Sequence, residues 1–316
     1  MTPSSASQPA SKTMIWLGML SIYIVWGSTY LAIRFAVDSI PPFLMAGVRF
    51  LLAGGALLVW RLPAGDRKPT LRHWRSAGII GLMMLLGGNG GVVWAEQRVP
   101  SGIAALLVGS TPLWIVLIEA VVYRKRPSWP VLAGVIVGLG GMAVLIGPSQ
   151  LTGLHGDIDL VGGIVVALAA LSWAGGSLYS RGADLPDSPF LYNGMEMVCG
   201  GAALMILSTL SGEWGRLNVA AISLNSWLGF GYLVLFGSLV GFSAYTWLLR
   251  SAPTMLVSTY AYVNPVVAVL IGNLLAQEPL TPRVLLAATV IIGAVVLITY
   301  TKRDKKGSTV VPLEEP

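Results

Sequence analysis

Charged residues are scarce in this sequence. Only 11% of the 316 residues are Asp, Glu, Lys or Arg, whereas an ordinary soluble domain has about 25%. So few charges could not cover the surface of a soluble protein of this size, and they fall in short clusters between long apolar runs. A soluble enzyme, a nucleic-acid-binding module and a disordered chain are therefore excluded. The composition indicates a membrane protein that crosses the bilayer several times.

Cysteine and histidine are equally scarce. The single cysteine, Cys199, excludes an intrachain disulfide, and the two histidines, His73 and His155, fall in predicted loops on opposite sides of the membrane. This distribution excludes a Ser/His dyad or a histidine metal site within the membrane. The Gly-x-x-x-x-Gly-Lys-Ser/Thr loop of ATPases is also missing. We therefore expect no catalytic residue, no metal, no cofactor and no ATP-driven pumping.

Ten apolar segments are long enough to cross the hydrocarbon core, which takes about 20 helical residues. They do not alternate polar and apolar residues as the strands of a membrane barrel do, so we predict an all-α membrane protein. The segments are residues 14–35, 42–60, 76–95, 102–122, 130–147, 160–180, 190–210, 226–249, 254–276 and 282–300. Residues 1–13 and 301–316 are polar tails that we predict to be disordered.

The positions of the Lys and Arg residues predict the orientation of these helices. If the N-terminus is cytoplasmic, 15 of the 20 Lys and Arg residues lie in cytoplasmic segments and four lie outside. Cytoplasmic loops are enriched in positive charge, so both termini are predicted to be cytoplasmic. The net charge of +6 follows from this topology, and no nucleic-acid partner is expected.

The sequence contains an internal repeat. Residues 26–57 align with residues 173–204 at a constant offset of 147, so that Trp26 aligns with Trp173. The later parts of the two halves align at offsets of 152 and 153, with prolines, glycines and tryptophans at matching positions. Apolar helices resemble each other by composition alone, but paired prolines and tryptophans at fixed spacing favour a true repeat.

The repeat divides the chain into two domains. Residues 14–147 and 160–300 each hold five predicted helices, and residues 148–159 form a predicted periplasmic linker. Because five is odd, the second repeat enters the membrane from the opposite side. Inverted repeats of this kind are typical of secondary transporters, which bind solute near the bilayer midplane between the halves.

Six short motifs occur in a defined order: WGSTY at 26–30, PP at 41–42, AGVRF at 46–50, GNG at 88–90, VPSGIAA at 99–105 and YAYVNPVV at 260–267. Their order and spacing resemble the EamA family of the drug/metabolite transporter superfamily, and within it a subgroup of exporters. The resemblance covers residues 14–300. It implies two inverted five-helix repeats, a central cavity lined mainly by helices 1, 3, 4, 6, 8 and 9, and export of amino acids or other small metabolites across a bacterial inner membrane.

One position departs from the family pattern. Members of the family often carry an acidic residue in the short hinge after both the fourth and the ninth helix. Glu278 matches this pattern in the second half, whereas Arg126 occupies the equivalent position in the first half. A role for this hinge carboxylate in both halves is therefore not expected.

Two charged residues lie within predicted helices and align with each other in the repeat, Arg49 and Glu196. Charges in the membrane usually face a cavity or a partner helix. Glu196 is interpreted either as a proton carrier or as a structural carboxylate bonded to a neighbouring helix. Arg49 is either an anchor or a clamp for a substrate carboxylate. The inverted topology separates the two by about 10 Å along the membrane normal, too far for a simple ion pair.

Asparagines and prolines mark the irregular parts of the predicted helices. Asn89 lies in a run of glycines in the third helix, and Asn264 precedes Pro265 in the ninth. Pro112 and Pro265 each remove a backbone hydrogen bond and free a carbonyl one turn earlier. Broken helices near the midplane commonly bind solute in transporters, although glycines also allow membrane helices to pack closely.

Several aromatic residues fall on helices expected to line the cavity, which would suit an apolar or aromatic part of a solute. The predicted solute-binding residues are Trp26, Tyr30, Asn89, Trp94, Trp173, Tyr245, Tyr260 and Asn264, and the predicted coupling or gating residues are Arg49, Glu196, Pro112 and Pro265. Other tryptophans, such as Trp129, are predicted at the membrane interface. Glu96 and Arg98 are predicted to be solvated at the outer mouth.

These observations favour a secondary transporter that exports a small-molecule solute by alternating access. Two alternatives remain from other classes: a channel-like or regulatory membrane protein, and a lipid-modifying membrane enzyme. Coupling by proton exchange through Glu196 and downhill facilitation are equally open. The expected partners are the solute and the lipid bilayer, and a monomer is expected because the repeat supplies both halves.

Overall fold

The computed structural model describes residues 11–64, 66, 68–99, 101–146 and 159–276, together with isolated positions between 282 and 297. Every regular element in these residues is helical, as predicted. Most of the linker, Glu278, the C-terminal tail and most of the tenth predicted helix lie outside the described residues, as do residues 1–10.

The described residues of the first half form six helices, which we number in chain order. They are α1 (Lys12–Val37), α2 (Pro42–Arg61), α3 (Leu71–Ala95), α4 (Ser101–Val108), α5 (Thr111–Val121) and α6 (Trp129–Ile146).

The second half repeats this order of long and short helices as far as it is described. Its helices are α7 (Leu160–Ser180), α8 (Pro189–Leu210), α9 (Leu224–Ser251), α10 (Thr254–Val257) and α11 (Tyr260–Ala276). Two short 3₁₀ turns, Glu213–Arg216 and Val219–Ala221, connect α8 to α9.

Six of the described helices are long and apolar enough to cross a membrane: α1, α2, α3, α7, α8 and α9. The fourth and ninth predicted spans are each divided, into α4 and α5 and into α10 and α11. The divisions precede the prolines. Pro112 lies in the first turn of α5, where its missing N–H costs nothing, and Pro265 lies inside α11.

Hydroxyl side chains donate to carbonyls next to these divisions, in addition to the backbone N–H groups that already reach the carbonyls of Leu107 and Leu256. Ser110 Oγ donates to the carbonyl of Leu107 and Thr111 Oγ1 to that of Val108, both at 2.6 Å. In the second half, Thr259 Oγ1 donates to the carbonyl of Leu256, also at 2.6 Å. The interrupted backbone is therefore stable in an apolar environment, where an unpaired carbonyl would be costly.

Side chains also fix where the long helices begin. Asp159 accepts from the backbone N–H groups of Val161 and Gly162 at the start of α7. The start of α2 is capped from the other half of the chain, because the buried carboxylate of Glu213 accepts from the N–H groups of Phe43 (3.2 Å) and Leu44 (2.7 Å).

Both α3 and α9 contain a π-helical segment of ten residues, Gly81–Gly90 and Leu233–Phe242. The two segments occupy the same place in the repeat, at an offset of 152. π-Helical turns are rare, and they occur frequently at functional sites. In the first segment the glycines allow close packing, since a Cβ on Gly88 would lie only 2.9 Å from the Trp173 ring.

The two halves pack through α2 and α8, which run antiparallel. A Cβ on Gly54 would lie 2.8 Å from the carbonyl oxygen of Gly194, and one on Gly201 would lie 3.1 Å from that of Gly47. Small residues let membrane helices approach this closely. Gly47 aligns with Gly194 and Gly54 with Gly201 in the repeat, so the interface repeats itself when the halves are exchanged.

The outer surface of the helices is apolar. Large apolar side chains such as Val59, Leu210 and Leu274 are exposed along it. An apolar surface this extensive would aggregate in water and is suited to contact with lipid. Of the tryptophans predicted at the interface, Trp129 is 80% exposed.

Candidate functional site

A cavity lies between the two halves of the molecule. It contains about 560 Å³ of space unoccupied by atoms, its open mouth included. One face of α1 forms a wall of it with Trp26, Thr29, Tyr30 and Ile33, which recur at the three- and four-residue spacing of a helix face. Side chains of α2, α3, α4, α7, α9 and α11 complete the lining.

Aromatic rings from both halves form the apolar part of this cavity. The ring of Trp26 packs edge-on against Trp173 of α7 at 5.5 Å between centroids, against Phe242 of α9 at 5.4 Å and against Tyr260 of α11 at 5.1 Å. Trp26 Nε1 donates to the carbonyl of Gly237 at 3.1 Å, in the π-helical segment of α9. The indole therefore has a fixed orientation, with its polar atom paired and its ring facing the cavity.

Two of the predicted solute-binding residues lie outside the lining. Tyr245 is buried behind Trp173, whose Nε1 donates to the Tyr245 hydroxyl at 3.2 Å. That hydroxyl also hydrogen-bonds to Ser177 at 2.8 Å, so Tyr245 positions Trp173 and does not face the cavity. Trp94 is half-buried near the end of α3, where the guanidinium of Arg98 lies 4.7 Å from its ring.

Arg49 is the one charged residue among the described residues that line the cavity. It is only 2% exposed, and its Nε donates to Ser238 Oγ on α9 at 2.7 Å. Its guanidinium carbon lies 4.8 Å from the ring centroid of Phe50. Nη1 is buried and has no hydrogen-bond partner among the described residues. The cavity therefore carries a fixed positive charge.

The two asparagines that line the cavity differ in their partners. Asn89 is in the π-helical segment of α3, and its Oδ1 is buried without a donor among the described residues. Asn264, in the orientation that satisfies its neighbours, donates from its amide to the carbonyls of Tyr23 (3.2 Å) and Tyr260 (3.1 Å). Asn264 thus ties α11 to α1, whereas Asn89 keeps a free acceptor.

The remaining predicted coupling or gating residues do not line the cavity. Glu196 is buried on α8, with Oε1 unpartnered among the described residues, and Arg250 is the positive charge that acts on it. Pro112 and Pro265 lie within the divided spans, close to the cavity residues Val108 and Asn264 respectively.

Glu96 is buried, although the sequence predicted a solvated residue at the outer mouth. Both its carboxylate oxygens lack hydrogen-bond partners in the described part of the chain, and its charge interacts with Arg34 and Tyr30 of α1. Burial raises the pKa of Glu96 well above its ordinary value, and the positive charge of Arg34 opposes that shift. Arg98 is half exposed and pairs with Asp159 at 3.2 Å.

The sequence reasoning missed several cavity residues. Thr29 and Ile33 lie one turn from Trp26 and Tyr30, so extending the helical spacing of those aromatics could have identified them. No comparable signal marks Phe242 of the lining, or Ser238, which accepts a hydrogen bond from Arg49, since long apolar helices do not indicate which face is inward. Within the described residues, no three His, Cys, Asp or Glu side chains gather to hold a metal ion.

The sequence matches the EamA-like transporter family over residues 12–147 and again over residues 160–300. It is 42% identical over 287 residues to the uncharacterized inner membrane transporter YedA of Escherichia coli strain K12, over 90% of each chain. It is 26% identical to the uncharacterized transporter YoaV of Bacillus subtilis, over 92% of this chain and 99% of that one. It is 24% identical to protein PecM of Dickeya dadantii, over 92% and 94%.

A solved crystal structure shares the fold. It superposes with a TM-score of 0.72 at 20% sequence identity and covers 94% of this chain and 100% of that one. The family matches together span all of the residues predicted to cross the membrane. With the six membrane-length helices, they show that this chain is a multi-pass membrane protein and belongs to the EamA-like transporter family.

Proposed function

We propose that this protein is a secondary transporter of the bacterial inner membrane that exports small metabolites, namely amino acids, related compounds or drugs. The observation that carries this proposal is the cavity, whose walls come from both halves of the chain. The relatives named as transporters support the general role. A solute held between the halves would leave when they separate on the outer side.

The packing of the halves supports alternating access by two inverted repeats, 14–147 and 160–300, with both termini in the cytoplasm. In the repeat α2 corresponds to α8, and these two helices pack antiparallel through aligned glycines. The contacts of α1 with α9 and α11 likewise correspond to those of α7 with α3 and α5. Such exchangeable contacts would let the halves rock between two related arrangements around a fixed site. Each chain supplies both halves, so we propose that a monomer is sufficient.

Glu196 is the proposed coupling residue if export is driven by protons. It is buried and incompletely hydrogen-bonded, so its protonation would change the charge balance inside the bundle. The other form of the proposal is downhill facilitation, in which Glu196 is structural. The divided spans that contain Pro112 and Pro265 would supply the flexible backbone in either form.

Efflux from proteoliposomes tests the proposal. The purified full chain is reconstituted, and release of labelled amino acids, neutral and aromatic ones first, is measured with and without an imposed pH gradient. We expect saturable efflux. Gradient-driven efflux that is lost in Glu196→Gln indicates proton antiport, whereas efflux that ignores the gradient and survives Glu196→Gln indicates facilitation.

Asn193→Ala provides the matched control in these assays. Asn193 is buried on the same helix, one turn before Glu196, and also has an unpartnered oxygen among the described residues. It does not line the cavity, so its substitution should leave the response to the gradient unchanged. A conductance that does not saturate with solute concentration would contradict a transporter and favour a channel.

A further inference from the structure

The polar atoms in the cavity are not all paired. Arg49 Nη1 is a buried donor without an acceptor, and Asn89 Oδ1 is a buried acceptor without a donor, among the described residues. Both side chains line the same cavity. Buried polar groups in proteins are nearly always hydrogen-bonded, so an unpaired donor and an unpaired acceptor on two residues that line one cavity indicate that a further group completes them.

The charge of the cavity is also unbalanced. Arg49 is the single charged residue in the lining that the structure describes, and the side chain to which its Nε donates, Ser238, is neutral. The aromatic face of Phe50 supports the guanidinium without neutralising it. A buried cation without a counter-charge is costly in a membrane protein. An anionic ligand would offset that cost.

The rest of the lining is apolar and aromatic. Trp26, Trp173 and Phe242 surround the space next to Arg49 together with the small side chains of Ala169 and Ala170. A ligand that fits this site therefore has an anionic end and an apolar or aromatic end. A guanidinium matches a planar carboxylate particularly well, because two N–H groups can donate to its two oxygens.

We propose that Arg49 binds the carboxylate of the transported solute through Nη1. Asn89 Oδ1 accepts a hydrogen bond from an amino or hydroxyl group next to that carboxylate. The cavity rejects organic cations. The inference rests on the proposed function, because it identifies the cavity as the solute site. It narrows the solute from small metabolites in general to amphiphilic amino or hydroxy acids. Cationic drugs are excluded by the charge of Arg49.

Binding to the purified full chain in detergent micelles tests this selectivity without any substitution. The probes are phenylalanine, 3-phenyllactate, 3-phenylpropanoate and phenethylamine, titrated by calorimetry. Phenylalanine and 3-phenyllactate should bind best, and 3-phenylpropanoate, which has no donor for Asn89, more weakly. Phenethylamine, which lacks the carboxylate, should bind about tenfold or more weakly than phenylalanine. Equal binding of phenethylamine and phenylalanine, or no binding of any carboxylate, would overturn the proposal.

Variants assign the selectivity to residues. Arg49→Gln should weaken phenylalanine binding about 10- to 100-fold, and Arg49→Lys, which keeps the charge, should lose less. Asn89→Ala should bring phenylalanine and 3-phenylpropanoate to similar affinities. Asn193→Ala and Arg61→Gln, which change a buried asparagine and an arginine outside the cavity, should bind like the wild type. Unchanged phenylalanine binding in Arg49→Gln would refute the assignment.

Folding failure and failure of the proposed function can both be recognised. If Arg49→Gln does not elute as a single species, Ser238→Ala retains the arginine while removing its partner, and should weaken carboxylate binding about threefold to tenfold. Carboxylate-selective binding without flux in proteoliposomes would contradict the transport function but would still support the proposed binding site. Flux that prefers phenethylamine to phenylalanine would support transport and contradict the proposed carboxylate site.

Discussion

At the scale of the residue, Glu96 has the least favourable surroundings among the described carboxylates outside the membrane-spanning helices. It follows the last residue of α3, is buried, and has no hydrogen bond to either oxygen in the described part of the structure. Its carboxylate interacts with the charge of Arg34 and with the hydroxyl of Tyr30. Burial holds its pKa above the usual value, so the folded protein binds a proton there more readily than the unfolded chain.

This shift predicts how stability depends on pH. Between the unfolded pKa of about 4.3 and the raised folded value, the folded state holds the extra proton, so stability falls as pH rises through that window. Glu96→Gln removes the titration and should flatten this fall. Thermal unfolding in detergent from about pH 4.5 upwards measures it.

Asp66→Asn is the control with the opposite sign. The hydrogen bonds from Arg61 lower the pKa of Asp66, so its contribution to stability is lost as pH falls through the lowered value. Asp66→Asn should therefore lower stability at neutral pH, where the ionised carboxylate pairs with Arg61, and should flatten the loss of stability on the acid side. A profile that Glu96→Gln leaves unchanged would show that burial of this carboxyl does not influence stability.

Individual site residues could be predicted in part from the sequence. Six of the eight predicted solute-binding residues line the cavity, because aromatics and amides in a membrane helix are conspicuous. Trp94 does not, since five residues after Asn89 it points to another side of the helix. Tyr245 is on a lining helix but lies behind Trp173. Whether a side chain reaches the cavity or lies behind another residue depends on how the helices pack, and the local sequence around that residue does not show this.

At the scale of the element, the composition predicted that some helices are irregular but did not predict the geometry of the irregular segments. The glycine run around Asn89 indicated a weakened helix, and the structure makes it a π-helical segment. The matching segment Leu233–Phe242 has fewer glycines and gave no such signal. Pro112 indicated an irregular fourth span, yet the division lies just before it, because proline fits the first turn of the next helix.

The interface of α2 and α8 makes a sharp prediction about stability. A Cβ on Gly54 would lie 2.7 Å from the Cβ of Met197 and 2.8 Å from a backbone oxygen, and backbone cannot move aside. Gly54→Ala should therefore destabilise the protein by about 1–3 kcal/mol through overpacking. Unfolding in detergent mixtures of increasing denaturing strength measures the change.

Gly55→Ala is the matched control for this prediction. It makes the same chemical change one residue further along the same helix, where nothing lies within 4 Å of the added Cβ. Alanine favours helix more than glycine does, so Gly55→Ala should be neutral or slightly stabilising. Equal effects of the two substitutions would contradict close packing of α2 against α8.

At the scale of the whole molecule, charge density and apolar run length were sufficient to predict a multi-pass helical membrane protein, and the motifs to predict its family. The bilayer determines both the charge density and the length of the apolar runs, because any chain that crosses it must match its thickness and exclude charge from its core. The contacts between the halves could not be predicted in this way. Apolar helices fit together by shape, and the glycines that determine the fit are too common to pair from sequence.

The central claim of this account is that a solute bound in the cavity gains access to each side of the membrane in turn. Counterflow tests it most directly. Proteoliposomes containing the full chain are loaded with a high concentration of unlabelled phenylalanine and diluted into a trace of labelled phenylalanine. The account predicts a transient accumulation of label above its equilibrium level, which Arg49→Gln should abolish and Asn193→Ala should preserve. Label that rises to equilibrium without an overshoot in the wild type would contradict alternating access.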